Sequence, residues 1–285
     1  NFAFTVSQSS TAPDGFSKSL KLDCTTAESS LDADELARFL YKIEGQDVQH
    51  LNYGSSASEE VTVSFYVRSN VTGVYTVEFR LNAAGTSTIT KQYTISSANT
   101  WERKILKLPT NTATSITDDV SNRFEIAFCV AAGSNFTTGS LGTSWATTAT
   151  SSRYAGQAAN IMSSTDNEWY ITGIQMEVGS VATPFEHRSF GEELNLCRRY
   201  YYQPSLALRI VSLLLRPDNK RCFQVMFPVD MRVAPTADVT YDNDGSSATL
   251  DTPTISTDML RANTSAISDS NRDPRFTAFK MDAEM

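Results

Sequence analysis

Apolar and polar residues alternate along much of the first 185 residues of the chain. In Val61–Val67 every second residue is apolar, which is the period of a strand with one buried face. Further strand-length runs follow at intervals of about ten residues, with turn-forming residues between them. These runs cover residues 74–79, 89–95, 101–108, 124–130 and 169–178. The pattern predicts an all-β fold, built as an antiparallel sandwich rather than as βαβ units.

Two loops and one ambiguous segment refine this pattern. A short loop containing Gly73 separates Val61–Val67 from Val74–Phe79, so the two runs are predicted to form a hairpin. Gly173 interrupts the alternation of the run 169–178, as a β-bulge would. The spacing of the apolar residues in the segment Leu31–Leu40 fits one face of a helix, but the end of the segment also fits a strand. Both assignments remain open.

The clearest helix signal begins at Ser189. Ser189 and Glu192 have the spacing of a capping box, in which each side chain accepts a hydrogen bond from a backbone N–H group of the other. Pro204 is expected to end the helix. Four residues would share one face of it, namely Phe190, Leu194, Cys197 and Tyr201.

A smaller β region follows the helix and is poor in apolar residues. Leu206–Leu215 is predicted to pair with Cys222–Phe227, and Phe276–Met281 is predicted to be the last strand. A turn-forming cluster, Asp242–Ser247, lies between them. About 80 residues with so small a core would be marginally stable alone, so we expect partner chains to cover part of this region.

Composition and charge exclude several classes of function. The chain has 285 residues, 32 acidic against 24 basic side chains and a net charge of −8, which argues against binding of nucleic acid or anionic membranes. No window of 18 consecutive apolar residues is present, so no membrane insertion is expected. The strand-like start, Asn1 to Phe4, suggests a processed chain or a segment of a longer polypeptide.

The sequence offers few candidate metal ligands. His50 and His187 are the only histidines, which excludes a multi-histidine centre. Asp23 with Glu177, and the run Asp242–Asp244, could supply oxygen ligands to calcium, but ordinary turn chemistry accounts for both. We therefore predict neither a metal nor a cofactor. The cysteines lack CxxC spacing and have apolar neighbours, so they are interpreted as free, buried thiols: Cys24, Cys129, Cys197 and Cys222.

Catalysis is not expected from this chain. A glycosidase needs two carboxylates held across a cleft. Glu44 with Asp47, and the pair Asp118–Asp119, lie in polar loops and carry no recognisable signature. The two histidines are far apart in sequence, and no GxSxG motif accompanies them.

Two polar loops carry the residues best suited to binding a sugar. Aromatic rings can stack on the pyranose face while amide and guanidinium groups bond its hydroxyls. Because binding residues tend to lie on loops of a rigid sheet, five residues are candidate glycan ligands. They are Trp145, Arg153 and Tyr154 in the loop 139–159, and Asn52 and Tyr53 in the loop 46–58. The alternative is that the side chain of Trp145 or Tyr154 packs against the core and holds its loop there. Trp101 and Trp169 lie in strand runs and are expected to be core residues.

Long stretches of the sequence resemble a known family. Trp169–Leu194 and its continuation Leu196–Tyr202 closely resemble a module of tail-fibre and other virion proteins of tailed bacteriophages. The looser resemblance of Asn1–Gln8, Val61–Tyr75 and Ser97–Glu102 extends it over roughly residues 1–203. It implies a carbohydrate-binding-type jelly roll followed by a variable tip, in a homotrimeric appendage that contacts the host surface. It supplies no catalytic motif.

Together these observations predict three segments. They are a jelly-roll carbohydrate-binding-like domain over 1–185, a short connecting α-helix over 186–204 and a small β-rich C-terminal tip or oligomerisation domain over 205–285. The first functional hypothesis is a phage tail fibre that binds a host cell-surface glycan as a homotrimer. Upstream sequence would attach it to other virion proteins. The alternatives are a capsid-attached fibre or decoration protein, and the carbohydrate-binding module of a secreted polysaccharide-acting enzyme.

Overall fold

The computed structural model describes residues 1–82, 86–204, 222–242, 252–263 and 275–284. The chain divides into two compact units, Asn1–Glu186 and His187–Met285. Within the described part of the chain, no helix combines the length and the apolar character needed to cross a bilayer.

The first unit is a sandwich of two antiparallel five-stranded sheets, with strand orders β1-β2-β10-β4-β7 and β3-β8-β5-β6-β9. Strands β2, β10, β4 and β7 face β3, β8, β5 and β6, which is the eight-strand arrangement of a jelly roll. The predicted all-β sandwich is therefore confirmed. The strands are β1 (Ala3–Ser9), β2 (Ser19–Thr26), β3 (Leu36–Glu44), β4 (Val61–Ser69), β5 (Gly73–Leu81), β6 (Ser87–Ile95), β7 (Glu102–Leu108), β8 (Asn122–Ala132), β9 (Ala146–Thr147) and β10 (Glu168–Val178).

The helices of the first unit are short. They are α1 (Ser134–Thr137) and three 3₁₀ turns, Gly45–Leu51, Thr150–Ser152 and Ile161–Ser163. All of them lie in connections between strands, so the sheets alone provide the rigid frame.

Aromatic side chains from both sheets meet in the core between them. The Phe128 ring lies 5.1 Å from that of Phe65 and 6.1 Å from that of Trp169, measured between centroids. All three are fully buried, as was predicted for Trp169. Trp101 differs from the prediction, because it is half-buried at the margin of the sandwich and packs edge-on against Tyr170 at 6.2 Å.

The predicted hairpin of β4 and β5 is wrong. Strand β4 pairs with β7 and β10, whereas β5 pairs with β6 and β8 in the opposite sheet. Both strands turn an apolar face to the same core, so residues 70–72 carry the chain from one sheet to the other. The ambiguous segment becomes a strand, since β3 begins at Leu36 and pairs with β8.

The predicted β-bulge at Gly173 is confirmed. The pairing of β10 with β4 shifts register between Thr172 and Gln175, and Gly173 has φ +59°. A Cβ atom at this position would lie 2.6 Å from the Phe16 ring. Glycine is therefore needed both for the backbone conformation and for the close approach of Phe16.

The second unit contains a helix and two small antiparallel sheets, β11-β16-β13 and β12-β15-β14. Its buried apolar core among the described residues is small and includes Phe227, Leu260, Phe279 and Met281. The predicted strand Leu206–Leu215 lies outside the described residues, as does the turn cluster after Asp242. The elements are α2 (Phe190–Arg198), β11 (Tyr201–Tyr202), β12 (Cys222–Met226), β13 (Thr236–Asp242), β14 (Thr254–Ile255), β15 (Met259–Asn263) and β16 (Arg275–Asp282).

Helix α2 has the predicted capping box. Ser189 Oγ accepts a hydrogen bond from Glu192 N at 3.3 Å, and Glu192 Oε2 accepts one from Ser189 N at 2.9 Å. The helix ends at Arg198, before Pro204, and Tyr201 belongs to β11, so the expected apolar face is shorter than predicted. Phe190 is 81% exposed.

The cysteines divide into two groups. Cys24 and Cys129 are free and buried, as predicted, and burial raises the pKa of both thiols. Cys197 is exposed on α2, which corrects the prediction of a buried thiol. The reason is that the described residues leave much of the apolar side of α2 exposed, including Phe190. The side chain of Cys222 is outside the described part.

Candidate functional site

The structure brings the two predicted binding loops together at Tyr53 and Trp145. Their rings meet edge to face, with centroids 5.7 Å apart. The indole Nε1 of Trp145 donates a hydrogen bond to Pro109 O at 2.9 Å, and its ring also contacts Phe124 in the core at 6.2 Å. Trp145 is half-buried, so it anchors the loop 139–159 to the sandwich instead of standing free to stack on a sugar.

Arg153 and Tyr154 lie elsewhere in that loop, at an ionic cluster around Glu78 of β5. Arg153 donates from Nε to Glu78 Oε1 and from Nη2 to Oε2, both at 2.8 Å. The Tyr154 hydroxyl donates to Oε2 at 3.2 Å, and Arg38 Nη1 donates to that hydroxyl at 3.2 Å. The Glu78 side chain is 1% exposed, so this two-pronged pair is nearly free of competition from water. The bond with Glu78 raises the pKa of Arg153 further.

This cluster corrects two of the predicted ligands. Tyr154 is 0% exposed and packs on Ala127 and Cys129, so its ring has no face that a sugar could reach. Burial, together with the neighbouring Glu78 carboxylate, raises the pKa of its phenol. The Nε and Nη2 groups of Arg153 are already bound to the two carboxylate oxygens of Glu78. Both residues therefore hold the loop 139–159 against the outer face of the sheet containing β5.

The second loop forms a small polar pocket of about 220 Å³. It is lined by Val48, Gln49, Asn52, Tyr53, Ser55 and Ile116, so two of the predicted ligands lie in its wall. None of these side chains carries a charge at neutral pH. The pocket is smaller than the roughly 300–1,000 Å³ of typical small-molecule sites, which limits it to a ligand of about one sugar ring.

Local backbone geometry fixes the polar groups of this pocket. Asn52 ends the 3₁₀ turn Gly45–Leu51 in the left-handed conformation, with φ 51°. The Gln49 side chain donates from Nε2 to Gly45 O at 2.8 Å and to Ile116 O at 3.3 Å, which leaves its carbonyl oxygen as an acceptor. Asn52 Oδ1 is a second acceptor. The pocket therefore suits a neutral ligand that donates hydrogen bonds from hydroxyl groups.

Tyr53 lines the pocket, but its hydroxyl group is not available to donate a hydrogen bond to a ligand. The side chain is 6% exposed and its Oη is enclosed without a hydrogen-bond partner among the described residues. Burial raises the pKa of this phenol, because the charged form would lose its hydration. Its ring contact with Trp145 thus links the pocket to the anchored loop.

Four of the carboxylates considered for catalysis and for calcium have structural partners, namely Glu44, Asp119, Asp23 and Glu177. Buried Glu44 accepts a hydrogen bond from Gln46 at 2.9 Å, and Asp119 pairs with Arg123. Asp23 forms an ion pair with Lys21 at 3.2 Å, while Glu177 bonds Thr183 on another part of the sheet. Across the described ranges, no three His, Cys, Asp or Glu side chains are grouped to hold a metal ion. Most of Asp242–Asp244 falls outside those ranges.

Sequence reasoning missed Gln49, Ser55 and the charged residues of β5. The first two lie inside the predicted loop 46–58, and their polar side chains are a signal for a binding site there. Glu78 and Arg80 flank buried Phe79, so alternation along β5 places both on the outer face of the sheet. The presence of two charged residues in so apolar a strand is the sequence signal that could have indicated a functional or paired cluster there.

The fold and pocket define a jelly-roll β-sandwich protein with a small, uncharged polar pocket on one loop. No family model matches the chain, and no curated protein matches it. A structure titled "Family 16 Carbohydrate Binding Module-2" is 12% identical and covers 61% of this chain and 86% of that chain, with a TM-score of 0.31. The enzymatically active domain of tailspike protein 4 of bacteriophage CBA120 is 13% identical, with a TM-score of 0.34. It covers 61% of this chain and 18% of that chain.

Proposed function

We propose that this protein is a non-catalytic, glycan-binding appendage of a virion, namely a tail fibre of a tailed bacteriophage. The observation that carries the proposal is the uncharged pocket formed by Gln49, Asn52, Tyr53 and Ser55 on a rigid sandwich. Its two amide carbonyls accept hydrogen bonds from sugar hydroxyls, and the loop needs no rearrangement to present them. The resemblance of residues 1–203 to phage virion proteins supports the same assignment.

A pocket for one sugar ring gives weak affinity, so the proposed adhesion depends on several copies acting together. Linked copies convert later binding events into intramolecular ones and raise the overall affinity without new contacts. The small core formed by the described residues of the second unit supports a trimer, because symmetric neighbours would cover apolar surface such as that of α2. The two hypotheses therefore predict different oligomeric states. A tail fibre would be a trimer, whereas a carbohydrate-binding module of a secreted enzyme would act as a monomer.

Light scattering coupled to size-exclusion chromatography tests the oligomeric state. We expect a mass three times the 31.3 kDa of one chain. A monomer at micromolar concentration would contradict the virion proposal and favour the enzyme-module alternative. Localisation on intact particles by electron microscopy would then distinguish a tail fibre from a capsid-attached fibre.

The pocket itself is tested by Asn52→Gly, since glycine keeps the left-handed backbone while the side chain with its amide is removed. Loss of one hydrogen bond to a sugar should weaken binding to an array of neutral bacterial polysaccharides about fivefold per site. Asn99→Gly is the matched control, because Asn99 also has a left-handed backbone, with φ 57°, but lies in the loop between β6 and β7. Equal binding by both variants would remove the pocket as the glycan site.

A further inference from the structure

Arg80 of β5 has no partner among the described residues. No hydrogen bond or ion pair joins its guanidinium to any described residue, and its Nε is enclosed. The side chain as a whole is half-buried. Burying part of a guanidinium without a partner costs free energy, and such groups in folded proteins are usually paired. An unpaired arginine in the middle of a sheet therefore points to a ligand.

The neighbours of Arg80 form a polar row across the outer face of the sheet. Strand register places Lys42, Glu125, Arg80 and Thr88 side by side on β3, β8, β5 and β6. The next row, which contains Glu78, is covered by Arg153 and Tyr154. Lys42 and Glu125 each have an interaction of their own, so Arg80 is the charged group of this row that has none among the described residues. A guanidinium without a counter-charge favours an anion.

Glu125 does not neutralise Arg80. Its Oε1 accepts hydrogen bonds from the side-chain amides of Asn82, at 2.8 Å, and Asn122, and these bonds hold the carboxylate. No ion pair within 4 Å joins it to Arg80. The Asn122 Oδ1 is itself enclosed without a partner. Arg80 Nε and Asn122 Oδ1 are thus a donor and an acceptor beside Glu125 that have no partner among the described residues.

A small pocket of about 120 Å³ adjoins the row, and its lining is partly polar and partly apolar. Thr88, the cross-strand neighbour of Arg80, contributes a hydroxyl group to it, as do Thr90, Ser140, Ser144, Thr147 and Ser152, and the remaining lining residues are Ile89, Gly142, Ala146 and Ala149. Such a lining bonds the hydroxyls of a polyol, while the planar guanidinium fits a carboxylate through two parallel bonds. The two features together match a sugar that carries a carboxylate.

We propose that Arg80 is the anion-recognising residue of a second binding site, which takes an acidic saccharide with its carboxylate on the terminal Nη groups. This site is separate from the neutral pocket at Asn52. It extends the proposed glycan binding to surface polysaccharides that contain uronic or similar acids.

The Nε–Hε signal of Arg80 in ¹⁵N-correlated NMR spectra of the full chain provides the test. Millimolar trigalacturonate should shift this signal, whereas the neutral trisaccharide of galactose, which has a hydroxymethyl group in place of each carboxylate, should not. Arg80→Gln should weaken trigalacturonate binding about tenfold or more. Arg80→Lys should not restore it, because an ammonium cannot form the two-pronged contact.

Controls separate this role from a structural one. Lys107→Gln removes one positive charge from an exposed position on β7 and should leave binding unchanged. Arg80→Gln should not lower the melting temperature, since it removes a buried unpaired donor. A lower melting temperature would assign Arg80 to the fold and overturn the proposal.

Other outcomes also overturn it. No shift with galacturonate, glucuronate or N-acetylneuraminate excludes an acidic sugar, and equal binding of galactose 6-sulfate excludes recognition of the carboxylate shape. Self-association that depends on Arg80 would assign the guanidinium to a second copy of the chain. Asn52→Gly should leave trigalacturonate binding intact. The proposal for Arg80 and the proposal for the pocket at Asn52 can therefore be contradicted independently of each other.

Discussion

Replacing Glu78 with glutamine should destabilise the first unit by about 3–5 kcal/mol, the usual cost of removing one partner from a buried ion pair. The substitution leaves the guanidinium of Arg153, whose side chain is 14% exposed, without its counter-charge. It also weakens the contact of the carboxylate with Arg38, at 3.7 Å. Urea denaturation followed by tryptophan fluorescence reports on this unit alone, because Trp101, Trp145 and Trp169 all lie within it.

Two variants make this experiment specific. Asp23→Asn breaks the more exposed ion pair with Lys21 and should cost less than about 1 kcal/mol. The double variant Glu78→Met/Arg153→Met replaces the buried pair by apolar side chains and should recover most of the stability lost in Glu78→Gln. If Glu78→Gln were no more destabilising than Asp23→Asn, the loop 139–159 would not depend on the buried pair.

Replacing Phe128 with alanine should lower the free energy of unfolding of the first unit by about 3–5 kcal/mol. Phe128 lies on β8 in one sheet and contacts Phe65 and Trp169, which belong to the other sheet. The truncation therefore leaves a cavity where the two sheets meet, and neither backbone can move inward without breaking its strand pairing. The same fluorescence measurement gives the loss directly.

Ile105→Thr provides the control for the Phe128 variant. Ile105 lies on edge strand β7 and is 48% exposed, and threonine keeps the branched side chain that strands favour. Its effect should stay within about 0.5 kcal/mol. A Phe128→Ala loss of similar size would mean that the sandwich collapses around the cavity or is held mainly by its strand pairing.

The candidate site was only partly predictable from the sequence. The loop 46–58 was identified by its polar residues and by Tyr53, and the pocket lies there. The loop 139–159 was chosen for the same reasons, yet its Arg153 and Tyr154 face the sandwich. The difference depends on Glu78, which is 75 residues before Arg153 and binds both side chains. Residue type shows that an arginine needs a partner but does not show where the partner lies.

The sequence by itself determined six strands of the sandwich, namely β4 to β8 and β10, together with the bulge at Gly173 and the capping box at Ser189. These features depend on residues close together in the chain, through side-chain alternation, backbone freedom or a three-residue spacing. Only the tertiary structure decided which strands pair, as when β2 joins β10 from the far end of the first unit. It alone also decided that Tyr154 is buried and that Arg80 has no partner among the described residues. Alternation specifies which face of a strand is apolar, but long-range packing selects the neighbour that covers it.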